Sequence, residues 1–490
     1  MLAMNSLPRS RGVWAWAALG LAGSLVVALA GPRAVSSPAT SWWYLLGVPG
    51  GRGTAIVLVY VGMALLCAAW LGLGRLARGD DTRWLVAIGA AWLAPLALGP
   101  ALFSHDVYSY LAQGTLLHLG RNPYSSSPAE LAGLGRGHVL AAVSPFWRHT
   151  TAPYGPLFLG LASVVVAVTG SHLIAGVLVM RAFELVGVAL LAVFVPRLAR
   201  TLGADPARAT WLAVLSPLVL LELIAAGHND VLMIGLLVAG VTLALSGRPV
   251  LGVAVCALAA TIKLPALAGA VFIAIAWARA ETTWSQRAKL VLAAALAAAA
   301  VVAAVSLVTG LGFSWLSTTL FSTPAKVRLA ITPATGVGWT VAALLHDAGV
   351  AVNSRSVEST FSDATLAITG VLGLVLLYRA RIPRLALYLG ALLLVAAAGG
   401  PAAWPWYFSW GLVLLAACPE SQRLLTLALG AVVAVFLVKP NGILALPLPT
   451  APAVMAAYLL LALAVWHSRR GGRGRARGLR DRAPSALART

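Results

Sequence analysis

Long apolar segments recur along the whole chain and limit what it can fold into more than any other feature. These segments are 15–23 residues long, about the length that an α-helix needs to cross a hydrocarbon core roughly 30 Å thick. Apolar residues make up 60% of the 490 residues and charged residues only 10%, whereas soluble domains contain about 25% charged residues. So few charges cannot cover a water-facing surface. The sequence therefore predicts an all-α integral membrane protein that crosses the bilayer many times.

The charge is strongly positive, with 35 Lys and Arg against 14 Asp and Glu and a net charge of +21. In a soluble protein this excess would suggest a nucleic-acid partner. Here the basic residues lie between the apolar segments and in the C-terminal tail, as the positive-inside rule expects of cytoplasmic loops. We therefore expect membrane lipid, and no nucleic acid, as a partner. The three cysteines (Cys67, Cys256 and Cys418) lie inside apolar segments and are interpreted as small core residues.

The basic loops also predict a topology. They indicate about 14 transmembrane helices in a single domain over 1–468, with both termini inside and a basic, disordered cytoplasmic tail over 469–490. The apolar segment 154–170 is predicted to be an interfacial or re-entrant helix, because counting it as a crossing would move the arginines of the 197–208 loop outside. The first apolar segment, 13–30, is either a retained helix or a cleaved signal, and its length favours retention.

Two other segments depart from a simple crossing. Residues 209–226 are predicted as one crossing, whereas 250–277 contains Lys263-Leu264-Pro265 and is basic on both flanks, which predicts two short helices that meet near the outer face. The longest polar segments, 104–153 and 310–361, are both predicted outside, the second with a re-entrant piece at 336–345. We therefore expect the functional site on the extracytoplasmic face of the cell membrane.

The first polar cluster is Ser104-His105-Asp106-Val107-Tyr108-Ser109-Tyr110, which directly follows a predicted crossing. Ionisable residues at such a boundary are costly and commonly functional. Asp106 is either a functional carboxylate or the N-cap of a helix that runs to His118. The two interpretations are compatible.

The second polar cluster is Gly227-His228-Asn229-Asp230, at the outer end of another predicted crossing. It is either a polar turn or part of a site shared with Asp106. Two carboxylates at one level could position a hydroxyl group, deprotonate it or hold a divalent cation. The sequence leaves the cation, and its ligands, open.

Basic and aromatic residues complete the candidate site. The basic residues predicted to face outward are Lys263, Lys326, Arg328 and Lys439. Lys263, interpreted as unpaired among apolar residues, needs an anion, and a lipid phosphate is suitable; Lys439 could equally extend to the interface. The aromatic residues of the 404–410 segment either form an interfacial belt or stack on sugar rings. Arg181 and Glu184 are interpreted as a structural pair within one helix.

The order of these motifs resembles a known family of membrane enzymes. The His105–Tyr110 cluster is followed by Asn122-Pro123-Tyr124, by Ala152-Pro153-Tyr154-Gly155-Pro156-Leu157, and then by the 227–230 and 263–265 motifs. Together they resemble the GT-C glycosyltransferases, which take sugars from lipid-phosphate donors. More narrowly, they resemble the actinobacterial polyprenol-phosphate-mannose-dependent α-1,6-mannosyltransferases that build lipomannan and lipoarabinomannan. The similarity covers about 75–470.

The resemblance implies a GT-C-type fold, a polyprenyl-phosphate-mannose donor and a mannosylated glycolipid acceptor. Asp106 matches the presumed general base and Asp230 the second acidic motif. Lys263, Lys326, Arg328 and Lys439 would bind the lipid phosphate. The expected substrate-binding residues are His105, Tyr108, Tyr110, Tyr154, His228, Asn229, Trp404, Trp406 and Tyr407. The family often has a second acid directly after the first, where this chain has Val107, which weakens the case for a metal.

The chemistry of such a transfer is compatible with one strong base, because a phosphodiester leaves as a stable anion. The resemblance implies a β-linked donor and an α-linked product, formed by inversion. The alternatives are a transporter or flippase of lipid-linked saccharides, or a GT-C enzyme with another lipid-phosphate sugar donor. Transporters commonly place charges at the bilayer midplane and contain repeats, whereas these clusters lie at a predicted boundary.

Overall fold

The computed structural model describes residues 11–35, 50–318, 332–400, 403–420 and 425–442. Every regular element within these ranges is a helix, which confirms the all-α prediction for them. Lys326, Arg328, the predicted crossing at 446–466 and the predicted tail 469–490 lie outside the described residues.

The described α-helices are numbered in chain order. They are α1 (Arg11–Ala34), α2 (Arg52–Gly74), α3 (Arg83–Leu98), α4 (Asp106–His118), α5 (Gly137–Ala142), α6 (Pro156–Thr169), α7 (Leu173–Thr201), α8 (Pro206–Ala213), α9 (Asp230–Leu245), α10 (Pro249–Ala260), α11 (Leu267–Ala278), α12 (Trp284–Val308), α13 (Ser314–Ser317), α14 (Pro333–Asp347), α15 (Ser354–Arg379), α16 (Leu385–Gly399), α17 (Ser409–Ala416) and α18 (Leu425–Phe436). A π-helix covers Leu218–Ala225, and short 3₁₀ helices cover Pro128–Ala132, Pro145–Trp147, Leu264–Ala266, Ile382–Arg384 and Pro405–Phe408.

Six helices of the described part are long and apolar enough to cross a membrane. They are α1, α2, α7, α12, α15 and the segment Ile382–Gly399, and the pair α8 and π-helix would make a seventh. Five further apolar helices have 10 to 17 residues, so the predicted count of about 14 crossings is not confirmed. The three cysteines are free and buried, as the sequence indicated.

The segment 209–226, predicted as one crossing, is not a single continuous helix. The chain instead forms α8 and the π-helix, which meet at an angle of 44°. Pro217 lies at the junction, and proline lacks the amide that would continue the α-helical hydrogen bonding. Asp205 caps α8 by accepting a hydrogen bond from the Arg208 amide. The bend leaves the π-helix wholly buried, with its end at the Gly227–Asp230 turn.

The predicted pair of short helices within 250–277 is confirmed as α10 and α11, joined through Lys263 and a 3₁₀ turn. Helix α6 has only 14 residues, and its interfacial position stays a prediction. The amides of Gly155 and Leu157, at its start, donate hydrogen bonds of 3.0 Å to the carbonyls of Ile262 and Thr261. This contact holds Tyr154 beside the turn that carries Lys263.

Close helix packing fixes the position of α9, which begins with Asp230. A Cβ atom on Gly187 of α7 would lie 2.5 Å from the carbonyl oxygen of Val231. Only glycine permits this approach, as is common where helices pack in membrane proteins. The start of α9 is therefore held directly against α7.

Candidate active site

Three distant chain segments meet at the end of the molecule that carries both acidic clusters. The Leu102 amide donates to the Ala225 carbonyl at 2.9 Å, and the Phe103 amide donates to the Pro440 carbonyl at 2.8 Å. These bonds join the segment before Asp106 to the end of the π-helix and to the segment after α18. The two clusters identified in the sequence are thus neighbours in the fold.

The side chain of Arg181 also links these segments through hydrogen bonds. Its buried guanidinium donates to the carbonyls of Ala97 (2.9 Å), Gly99, Pro100 (2.8 Å) and Ala225 (2.9 Å). One side chain therefore holds both the segment that leads to Asp106 and the π-helix that leads to His228.

Arg181 and Glu184 are both buried, as expected of a structural pair, and their opposite charges interact. The two side chains are nevertheless not among the salt bridges of the described residues. The Glu184 carboxylate has no hydrogen-bond partner there. Backbone carbonyls compete successfully for the guanidinium because its planar fork reaches several of them at once.

Asp106 is the first residue of α4, with His105 in the N-cap position. The hydroxyl oxygen of Ser104 accepts a hydrogen bond from the backbone amide of Asp106 at 3.0 Å. The capping interpretation of Asp106 is therefore wrong. Its carboxylate instead receives a hydrogen bond from the indole N–H of Trp147, 3.1 Å from Oδ1. The Asp106 side chain keeps 16% of its surface exposed, so a substrate can reach it.

His228 faces Asp106 from the other cluster. Its side chain is fully buried, and its Nε2 lies 3.7 Å from Oδ2 of Asp106. Nδ1 contacts the backbone carbonyl of Glu222, and its ring stacks on Trp406 with centroids 4.1 Å apart. Burial lowers the pKa of His228, although the nearby carboxylates Asp106 and Asp230 oppose this effect. The imidazole is therefore neutral near pH 7.

Asp230 is fully buried and forms an ion pair with Lys263. Nζ of Lys263 lies 2.9 Å from each carboxylate oxygen, and the indole N–H of Trp410 donates to Oδ1 at 2.6 Å. The prediction that Lys263 is unpaired is therefore wrong. An anion within the protein already satisfies the charge that the sequence assigned to a lipid phosphate.

Aromatic rings surround this ion pair. Nζ of Lys263 lies 4.7 Å from the ring centroid of Tyr407 and 5.5 Å from that of Trp410, within the range of cation–π attraction. Tyr407 and Trp410 stack with centroids 4.5 Å apart, and Trp404 stacks on Trp406 at 4.7 Å. The 404–410 segment thus contacts both the ion pair and His228, which an interfacial belt alone would not require.

Two buried tyrosines, Tyr110 and Tyr154, lie close enough to Asp106 and Asp230 to interact with their charges. The rings of Tyr110 and Tyr154 pack edge to face at 4.9 Å, and the Tyr124 hydroxyl donates to the Tyr154 carbonyl at 2.9 Å. Burial, with a smaller contribution from the charge of Asp106, raises the pKa of Tyr154 well above its ordinary value. The hydroxyl of Tyr154 therefore stays protonated and cannot act as a base.

The remaining predicted residues lie at different depths. His105 and Tyr108 pack against each other with ring centroids 6.0 Å apart, and burial lowers the pKa of His105. Asn229 is buried just before α9, and its side-chain amide has no hydrogen-bond partner among the described residues. Lys439 is exposed, next to the Pro440 carbonyl that binds Phe103.

Two tryptophans that contact the carboxylates were not among the predicted site residues. Trp147 ends the 3₁₀ turn after Ser144, and only its place in the long polar segment 104–153 could have marked it. Trp410 belongs to the aromatic segment, but its bond to Asp230 spans 180 positions of sequence. Local patterns carry no information about such distant pairs.

The donor set does not fit a divalent cation well. Lys263 and Trp410 already occupy the oxygens of Asp230, which leaves Asp106 Oδ2 and His228 Nε2 as adjacent ligands. Within the described ranges, no group of three His, Cys, Asp or Glu side chains is placed to hold a metal.

Chemically, the arrangement combines one accessible carboxylate, one neutral imidazole and one neutralised lysine within aromatic walls. Oδ1 of Asp106 is held by Trp147, and Oδ2 is directed toward His228. A carboxylate held in this way can remove a proton from a hydroxyl group bound next to it. Aromatic walls are suited to sugar rings and apolar chains.

Comparison with known proteins agrees with this chemistry. Residues 17–279 match the family described as "Alpha-(1->6)-mannopyranosyltransferase, N-terminal domain". Alpha-(1->6)-mannopyranosyltransferase A of Mycobacterium tuberculosis is 34% identical over 451 residues, which cover 87% of this chain and 84% of that protein. A probable alpha-(1->6)-mannopyranosyltransferase of Mycolicibacterium smegmatis is 32% identical over 91% of this chain and 87% of the relative.

Alpha-(1->6)-mannopyranosyltransferase B of Corynebacterium glutamicum is 28% identical over 93% of this chain and 83% of the relative. No solved structure matches the chain. These three relatives are named as enzymes and none as a transporter, which does not favour the transporter alternative. The matched residues include both acidic clusters and Lys263, and the chain belongs to the alpha-(1->6)-mannopyranosyltransferase family.

Proposed function

We propose that this protein transfers mannose from a polyprenyl-phosphate-mannose donor to a mannosylated glycolipid acceptor and forms an α-1,6 linkage by inversion. The site would face the extracytoplasmic side of the cell membrane. The observation that carries the proposal is the Asp106 carboxylate, which is accessible and oriented by Trp147, next to a neutral imidazole and aromatic walls. The names of the relatives supply the sugar and the linkage.

In the proposed reaction, the acceptor hydroxyl donates its proton to Oδ2 of Asp106. Its oxygen forms a bond to the anomeric carbon while the bond between that carbon and the phosphate oxygen breaks. The electron pair leaves with the polyprenyl phosphate, and the proton remains on Asp106 until solvent removes it. Holding the two substrates in line lowers the barrier, and the base contributes about 10²–10⁴ in rate.

Lys263 is the candidate contact for the donor phosphate, although it is already paired. Its ammonium carries three N–H donors, and Asp230 receives two of them. The third remains for a phosphate oxygen, and 13% of the Lys263 side chain is exposed. Asp230 would hold Lys263 in position, and the stacked rings of Tyr407 and Trp410 would exclude water around it.

The decisive experiment supplies purified protein with radiolabelled polyprenyl-phosphate mannose and a short α-mannoside. We expect a longer mannoside whose new bond is cleaved by an exomannosidase specific for α-1,6 linkages. GDP-mannose, offered as the donor in a parallel reaction, should give no product. Transfer from GDP-mannose, or a product with another linkage, would contradict the proposal.

A further inference from the structure

The hydrogen bond at Nδ1 of His228 determines which of its two ring nitrogens carries the hydrogen. The partner of Nδ1 is a backbone carbonyl, which can only accept, so Nδ1 carries the hydrogen. In a neutral imidazole, Nε2 then presents a lone pair. This atom is buried and has no hydrogen-bond partner among the described residues.

The lone pair faces a second acceptor. Oδ2 of Asp106 lies 3.7 Å from Nε2, which is too long for a hydrogen bond, and Nε2 carries no hydrogen that it could donate. A buried acceptor without a donor, as Nε2 is, is costly, and the neighbouring carboxylate is accessible to a ligand. The pair is therefore arranged for a ligand that offers two O–H groups side by side.

A sugar acceptor offers two neighbouring hydroxyl groups of this kind. The reacting hydroxyl has a single hydrogen, which goes to Asp106, so Nε2 needs a second hydroxyl. In a hexopyranose that reacts through its primary 6-OH, the ring oxygen carries no hydrogen, and the nearest other hydroxyl is the 4-OH.

We infer that Nε2 of His228 accepts a hydrogen bond from the 4-OH of the acceptor mannose while Asp106 receives the proton of the 6-OH. This inference rests on the proposed function, since it takes the α-1,6 linkage as given. His228 then selects acceptors by the presence of the 4-OH. It contacts the substrate but gains and loses no proton during transfer.

The test compares a methyl α-mannoside acceptor with its 4-deoxy analogue in the purified full-length enzyme. The 4-deoxy compound should lower kcat/KM of the wild type by about 5- to 150-fold, because it leaves Nε2 buried without a donor. His228→Phe keeps a ring to stack on Trp406 but lacks Nε2, so the two acceptors should differ by less than about twofold. His228→Gln offers a carbonyl acceptor and should restore part of the preference.

The matched control is His138→Phe, at a histidine of the outer segment whose Nε2 lies 3.4 Å from the Ser171 carbonyl. It should keep the wild-type preference. A wild type that uses both acceptors equally, or a His228→Phe enzyme that keeps the full preference, would overturn the inference. If His228→Phe does not fold, equal use of the two acceptors by the wild type still overturns the inference, and a reduced preference in folded His228→Gln supports it.

Two further outcomes are distinguishable. If a chelator abolishes wild-type activity and Mn²⁺ restores it, while the 4-deoxy acceptor is used normally, a cation lies between Asp106 and His228 and the inference is wrong. If the wild type transfers no mannose to the parent acceptor, the proposed function fails and this inference fails with it. Transfer without dependence on the 4-OH removes only the inference.

Discussion

The indole N–H of Trp147 donates a hydrogen bond to Oδ1 of Asp106 across 3.1 Å. The two residues are 41 positions apart and belong to different elements, a 3₁₀ turn and the start of α4. The bond fixes the orientation of the carboxylate and leaves Oδ2 on the side of His228. An oriented, partly exposed carboxylate is what a general base requires.

Replacing the proposed base should stop the chemistry without unfolding the protein. Asp106→Asn keeps an oxygen for the Trp147 indole but cannot take a proton, so kcat should fall by about 10²–10⁴. The control is Asp347→Asn, at an exposed carboxylate at the end of α14, which should be silent. A folded Asp106→Asn enzyme that keeps more than about a tenth of the wild-type turnover would remove Asp106 as the base.

Trp147→Phe tests the orientation of that base. The substitution keeps an aromatic ring but removes a hydrogen bond to a charged group, which typically contributes about 1.5–3 kcal/mol. We expect kcat to fall by roughly tenfold to a hundredfold, with a smaller change in the donor KM. Trp284→Phe, at an indole that is 82% exposed, is the matched control. Equal kinetics for the two variants would show that the indole bond does not contribute to turnover.

The Asp230–Lys263 pair predicts a stability effect in addition to a kinetic one. Lys263→Met would leave Asp230 buried without its partner, and breaking a buried ion pair in this way costs about 3–5 kcal/mol. The thermal midpoint in detergent should therefore fall, and the double change Lys263→Met with Asp230→Leu should recover much of it. An unchanged midpoint with only a raised donor KM would show that Lys263 serves the donor phosphate alone.

Arg181→Lys should impair both stability and turnover. A lysine ammonium has three donors at one point and cannot reach the four carbonyls that the guanidinium spans. Both segments that carry the site should relax, so kcat of the folded fraction should fall. The control Arg279→Lys removes a guanidinium that binds three carbonyls at the end of α15. This control variant should lower stability without lowering kcat of the folded fraction. A similar loss of kcat in Arg279→Lys would show that Arg181 has no specific role in positioning the site.

The proposed orientation can be tested by cysteine labelling, since the three native cysteines are buried and should react little. Ser125→Cys, at an exposed position in the segment 104–153, should react with an impermeant maleimide in intact cells. Ala280→Cys, at an exposed position in the turn between α11 and α12, should react only after permeabilisation. The opposite pattern would move the site to the cytoplasmic side.

Features that depend on local sequence could be predicted from the chain alone. The all-helical class follows from the length and composition of the apolar segments, and the α10–α11 pair follows from Lys263-Leu264-Pro265 between two apolar runs. Both acidic clusters were visible as ionisable residues where apolar segments end. Even the bend within 209–226 had a local cause in Pro217, although the hydropathy of the segment hid it.

The partners of these residues were decided only by the tertiary structure. Lys263 pairs with Asp230 across 33 positions, and Trp410 bonds to Asp230 across 180. A buried charge takes whichever counter-ion the packing brings closest, because desolvation makes an unpaired charge too costly. Hydropathy and spacing report how each segment partitions between lipid and water. The distance between atoms of two segments depends on how the helices pack, and no single segment contains that information.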